Sequence, residues 1–291
     1  MRLNDAVCYL CLDGEVNENS QPLRRDCACR GSDAGFVHLA CLAEYSAAKS
    51  KGWDGRDMKE FAMPWHTCPS CHQKYQNELA VDIANKFVPF VRRQYPRNTQ
   101  LHVEALSLKL RALDFMLDRL WEAGVTANVL LSLIDRMKGD ASPLLHRRYS
   151  QIEAFAYITH GRIALAEGTE ESARRAVAHF EKELEISKAI GNADGILTAK
   201  ANIAIAKSKY EGASNNEEVL KASQELYELR VASFGEEHEY TIHAGKNYAL
   251  RLRKANRGGE AMELLTKLLV TCKQVFGPHH NTTKEIESKP E

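Results

Sequence analysis

The chain has 291 residues, long enough for two domains. Its 39 basic residues balance its 39 acidic ones, which leaves no electrostatic footprint for a nucleic acid or an anionic membrane surface. No apolar run approaches the roughly 18–20 residues of a membrane span.

Seven of the eight cysteines fall between residues 8 and 71. Cys8-x2-Cys11 comes first, then Cys27-x-Cys29, His38-x2-Cys41 and Cys68-x2-Cys71. Zn²⁺ takes four Cys or His ligands in a tetrahedron, and a two-residue step lets one turn of backbone supply two of them. Four such pairs fill two closed structural sites, with no position left for water or substrate. Each site is expected to contribute on the order of 10–16 kcal/mol to folding. A disulfide framework fits less well. Met1–Val7 is charged and lacks the apolar core of a secretory signal, and a histidine occupies one ligand slot in register. Reduced thiols point to the cytoplasm or nucleus. His66 and His72 flank the last pair but are surplus to a complete set of eight.

Four cysteines, one histidine and three cysteines in that order resemble the RING-CH (RING-variant) domain of ubiquitin ligases, and more distantly the PHD finger that reads histone tails. The C-x-C step of Cys27 and Cys29, the run Phe36-Val37-His38-x2-Cys41-Leu42 and Pro69 inside the last pair favour RING-CH. Eight residues separate Cys29 from His38, one more than is usual for that family. The Cys41–Cys68 gap is also long, and the stretch Trp53–Pro64 accounts for it. The resemblance implies a cross-brace, with Cys8, Cys11, His38 and Cys41 on one ion and Cys27, Cys29, Cys68 and Cys71 on the other. It implies hardly any hydrophobic core. It further implies no catalytic residue, because RING domains hold a ubiquitin-charged conjugating enzyme in a reactive pose. The family's contact surface maps onto Leu10, Tyr45, Pro69 and His72. At the last position many relatives carry Arg or Lys; a neutral imidazole offers one donor where Arg offers five, and Lys74 stands nearby as a substitute.

From Asn77 onward an apolar period of 3.6 residues takes over. Leu79, Ile83, Phe87, Phe90 and Val91 outline a first amphipathic helix, which Pro89 is expected to kink. Leu106, Leu110, Leu113, Leu117, Leu120 and Trp121 are expected to line one face of a long second helix. Val125, Val129, Leu133 and Met137 are expected to line the next.

Gly168, Gly191, Gly212, Gly235 and Gly277 then close successive apolar segments, as helix C-caps do, and Asn256–Gly259 adds one more stop. Stops every 19–23 residues, paired at about 42, describe stacked antiparallel helix hairpins. Phe234-Gly-Glu-Glu-His238 and Phe276-Gly-Pro-His-His280 show the offset best. Thr169, Asp194 and Asn216 read as N-terminal capping signals. Cys272, on a stripe with Leu265, Leu268 and Leu269, reads as a buried small hydrophobe.

Lys246-Asn-Tyr-Ala-Leu250, Asn256-Arg-Gly-Gly-Glu-Ala261, Leu264-Leu265 and Phe276–His280 resemble the tetratricopeptide repeats of kinesin light chain type. Ala201-Asn-Ile-Ala204 and Phe234–His238 match the preceding unit, with an insertion at Gly212–Asn216. Tyr149–Gly191 matches by length and period alone. The resemblance implies a concave groove for an extended peptide, with Asn202 and Asn247 bonding the peptide backbone.

The sequence therefore predicts a mainly α chain: a zinc finger at 1–76, a helical connector at 77–148, TPR-like repeats at 149–280 and a tail at 281–291. The expected function is a soluble RING-type ubiquitin ligase of a eukaryotic cell, with a protein or peptide substrate in the groove. The competing expectation is a non-enzymatic zinc scaffold, or a PHD-like reader of histone tails.

Overall fold

The computed structural model describes residues 6–14, 22–27, 29, 34–53, 55, 57–114, 116–139, 141–210, 216–278 and 280–288. The chain divides into two compact units, Met1–Leu133 and Ile134–Glu291.

In the first unit, strand β1 (Leu23–Arg24) pairs antiparallel with β2 (Val37–His38), Leu23 opposite His38 and Arg24 opposite Val37. β2 runs straight into α1 (Leu39–Ser50), with His38 as N-cap residue; its side chain does not cap, being engaged elsewhere. The stretch after α1 folds into α2 (Met58–Ala62) and a 3₁₀ turn, Met63–Trp65. Asp57 starts α2 by accepting from the amides of Lys59 and Glu60 at 2.8 and 3.1 Å.

Next come α3 (Asn77–Gln94), α4 (Thr99–Leu113) and α5 (Leu120–Lys138), within which the division of units falls. Aromatic rings lock this inserted stretch, through Trp65, onto α3. Trp65 stacks on Phe87 at 4.9 Å and 22°, and Phe61 lies 5.9 Å from Phe87 and 5.4 Å from Tyr95. Polar bonds then close the same layer: Trp65 Nε1 donates to Ser50 Oγ, and Ser50 Oγ donates to the Phe61 carbonyl, both at 2.9 Å. One apolar cluster runs from Cys8, Leu42 and Cys68 through Phe61 and Trp65 to Phe87, Leu101 and Ala105. The cysteine-rich segment thus shares a substantial core, where the resemblance implied hardly any.

α3 runs through Pro89 to Gln94, with Phe87, Phe90 and Val91 buried on either side of the lost hydrogen bond. Two helical expectations need correction. The long second helix is two helices, broken after Leu113 and resumed through a 3₁₀ turn at Leu117–Arg119. On α5 the buried row is Ala123, Ala127, Leu130 and Ile134, while Trp121, Val125 and Val129 face solvent.

The second unit consists of α6 (Pro143–Ala166), α7 (Glu170–Ala189), α8 (Ala193–Lys207), α9 (Asn216–Phe234), α10 (Glu239–Lys254), α11 (Gly258–Val275) and α12 (Asn281–Glu287). Each of α6 to α11 packs on its sequence neighbour, which gives stacked hairpins. Gly168, Gly191, Gly235 and Gly277 all have positive φ at helix ends. Gly212 and residues 289–291 of the tail lie outside the described residues, as does the side chain of Asn216.

Thr169 caps α7 in a capping box with Ser172. The cap of α8 is Asn192, which accepts from Gly195 N at 3.2 Å; Asp194 instead pairs with Arg230 at 2.7 Å. The 42-residue repeat is a structural repeat too. His238 and His280 each cap a helix through Nδ1, accepting amides at 3.2 and 3.1 Å. Each ring stacks on the phenylalanine four residues earlier, at 4.8 and 4.4 Å.

Candidate metal centre

The ligand atoms of Cys8, Cys11, His38 and Cys41 gather within 4.8 Å of one another, and so do those of Cys27, Cys29, Cys68 and Cys71. Segments far apart in sequence supply each group, and the two groups interleave along the chain.

Four features fit Zn²⁺. With Zn–S near 2.3 Å and Zn–N near 2.05 Å, tetrahedron edges come to about 3.8 Å between sulfurs and about 3.5 Å between sulfur and nitrogen. Cys29 Sγ lies 3.7 Å from Cys68 Sγ, far from the ~2.05 Å of a disulfide. His38 Nδ1 lies 3.4 Å from Cys11 Sγ and 3.9 Å from Cys41 Sγ. The other ring nitrogen, Nε2, lies 3.1 Å from the Gly14 carbonyl, so donation there leaves Nδ1 deprotonated toward the sulfurs. Thiols this close also cannot all ionise without a cation. Cys68 is lowered to about 5, chiefly by the hydrogen bond from Cys27, while burial pushes Cys29 and Cys41 up to about 12. The two clusters are compatible with two zinc ions. Bound there, zinc supplies structural cross-links and no reactive position.

The two C-x2-C pairs share one backbone shape. Leu12 N bonds the Cys8 carbonyl at 2.9 Å, and His72 N bonds the Cys68 carbonyl at 3.0 Å. In both, the residue after the second cysteine is left-handed, at φ 67° for Leu12 and 57° for His72. Leucine rarely enters that region and histidine enters it more readily, yet both turns take the same shape, as the ligand pair they close requires.

Sequence reasoning missed two supports of the second group. Gly35, at φ 81°, backs against the ligands: a Cβ there would lie 2.7 Å from Cys29 Cβ and 3.1 Å from Cys27 Sγ. Asp26 ties the group to α3, its carbonyl taking Gln76 N at 2.8 Å and its carboxylate taking Asn77 Nδ2 at 3.2 Å. Asp26 and Gly35 belong to residue types common in any loop, so composition gave no signal. Ala28, Arg30 and Gly31, the neighbours of Cys27 and Cys29 in sequence, lie outside the described residues.

His66 and His72 stay outside both groups. Leu10 and Tyr45 are half-buried and pack against the first unit's core, Pro69 is half-buried, and His72 and Lys74 are exposed. Leu12, which the sequence did not single out, is 73% exposed, and Val7 is exposed as well. In the second unit Asn247 on α10 is exposed. Asn202 on α8 is half-buried beside Glu183 of α7. That carboxyl is fully buried, no hydrogen bond within 3.5 Å reaches either oxygen, and burial pushes it up to about 9. Cys272 is buried.

Comparison with known proteins agrees with the geometry of the first unit. The family model for the RING-variant domain matches residues 8–53. The match takes in six of the eight clustered residues; Cys68 and Cys71 lie beyond it, past the insert. No curated protein matches the chain. Among solved structures, a protein described as a kinesin light chain of Podosopora anserina with nearly identical TPR-like repeats, and a point variant of it, align at 13% identity. The alignments cover 81% of this chain and 95% of the other, with TM-scores of 0.36 and 0.37. The hairpin architecture above is read from the helices themselves. No helix among the described residues is long and apolar enough to cross a membrane.

Proposed function

We propose that this chain is a RING-type ubiquitin ligase, in which the zinc-bearing segment holds a ubiquitin-charged conjugating enzyme and the helical hairpins recruit a protein substrate. The observation that carries the reading is the pairing of two interleaved Cys/His clusters with the RING-variant match at residues 8–53. All eight clustered residues are assigned as zinc ligands. Catalysis is by positioning, since a fixed thioester meets an incoming amine far more often than a free one; no side chain of the chain forms a covalent intermediate.

The docking surface is assigned to Leu10, Tyr45, Pro69 and His72. Leu12 and Val7, exposed apolar residues around the same first pair, extend it. An exposed apolar patch on a rigid, metal-braced turn is suited to a transient partner. Recruitment of substrate is assigned to residues 149–280, with Asn202 and Asn247 on the groove-lining helices.

The test is discharge of ubiquitin from charged conjugating enzymes onto free lysine. Acceleration by the wild-type chain, lost on combining Leu10→Ala with Tyr45→Ala while two zincs remain by metal analysis, is the expected result. Absence of acceleration across a panel of conjugating enzymes, with both zincs bound, overturns the ligase reading in favour of a scaffold.

A further inference from the structure

α5 carries an apolar row that its own fold does not use. Trp121 is 81% exposed, Val125 44% and Val129 38%. With Leu133 they recur every four residues and so form one ridge along the helix. Single exposed hydrophobics are ordinary; a tryptophan heading a continuous ridge is not.

The far end of that ridge opens on a cavity. Val129 and Leu133, with Val88 and Arg92 of α3 and His102, Ala105 and Leu106 of α4, line a space of about 150 Å³. A space of about that size takes a benzene-sized ring, which matches the six-membered ring of an indole with the rest of the side chain at the mouth. Arg92 at its edge has no ion-pair partner among the described residues, and neither does Asp118, one turn before Trp121. All these residues belong to the first unit.

The ridge is its own complement. Laid antiparallel on a copy of itself about a two-fold axis near residue 127, Trp121 falls opposite Leu133, and Val125 falls opposite Val129. The same register brings the copy's tryptophan to the cavity and the copy's Asp118 toward Arg92. We propose that α5 is the interface of a homodimer, in which Trp121 of each copy inserts the six-membered ring of its indole into the cavity of the other and Asp118 pairs across it with Arg92. A two-fold interface uses each contact twice, and ridges of this spacing pack at about −50°. A contact built on four side chains of one helix from each copy is a small one, so the dimer should be weak, with Kd of roughly micromolar order.

Sedimentation equilibrium of the full-length, zinc-loaded chain from about 1 to about 200 µM tests the proposal. The expected result is a concentration-dependent dimer that Trp121→Ala weakens by at least about tenfold, with far-UV circular dichroism unchanged because the side chain is exposed. Asp118→Arg and Arg92→Asp should each weaken the dimer, and their combination should restore it. A monomer throughout the range overturns the proposal and leaves the row to another partner. So does a dimer indifferent to Trp121→Ala, or a double charge reversal no better than the single ones.

Discussion

The two units bury different kinds of side chain. The first packs large rings, Phe61, Trp65, Phe87 and Phe90, against cysteines that form two metal-binding clusters. Helices α6, α7 and α8 bury mostly small residues: Ala154, Ala156, Ala164, Ala173, Ala176, Ala199, Ala201, Ala204 and Ala206, with Tyr149, Ile152, Val177 and Phe180 as the larger ones. In the first unit the cysteine-rich segment, the stretch to Trp65, α3 and the start of α4 share one cluster; the second is a series of close helix pairs in which each contacts its neighbours. Stability should therefore be concentrated in the first and distributed in the second.

Metal removal breaks this contrast most sharply. Chelation, or Cys68→Ser, should unfold the cysteine-rich segment outright, since each site carries on the order of 10 kcal/mol. The helical signal of residues 134–288 should survive. A circular-dichroism titration with a zinc chelator, read beside released zinc, checks this; loss of most helix at the first equivalent would show that the two units are not energetically separate. Phe87→Ala comes next. It opens a cavity where Trp65 and Phe61 meet α3, at an expected cost of about 3–5 kcal/mol, measured by urea unfolding of the zinc-loaded chain.

In the second unit the sensitive positions are small ones. A Cβ added at Gly161 of α6 would lie 2.3 Å from the Phe180 ring of α7. Gly161→Ala gains helix propensity, roughly 1 kcal/mol in an open helix. Here overpacking should reverse that gain, for a net loss of about 1–3 kcal/mol. A stabilised variant would show that α6 and α7 separate more easily than the close approach implies.

The same contrast explains what the sequence could and could not reveal. Four close ligand pairs announce themselves, because eight Cys and His ligands in that order and spacing fill two tetrahedral sites. Glycine at helix ends is equally plain, since left-handed backbone favours it. The shape of α5 was hidden. Two rows on that helix are apolar enough to be a core, 125/129/133/137 and 123/127/130/134, and the larger side chains of the first made it the one expected. The fold buries the row of Ala123 and Ala127, for small residues let helices approach. The left-handed backbone of Leu12 and His72 was hidden for a different reason: it is dictated by the ligand pair each residue follows, and leucine by itself argues against it.

The repeated Phe–His motif gives the smallest and finest comparison. Phe276 is 7% exposed and Phe234 is 43% exposed, although the local geometry is the same. His280 is correspondingly enclosed, and burial lowers it to about 4, with Glu239 opposing and His243 assisting. Its capping nitrogen must stay deprotonated to accept the Thr282 amide. The folded chain then binds fewer protons at this site than the unfolded chain, so its contribution is whole above the ordinary histidine range. That contribution fades as pH falls through that range toward 4 and is absent below. Replacing His280 with Ala should cost about 1 kcal/mol near pH 7, and the cost should vanish near pH 4. Unfolding of wild type and variant at several pH values would reveal this convergence; a cost independent of pH would mean that the ring serves by stacking on Phe276 and not through its capping nitrogen.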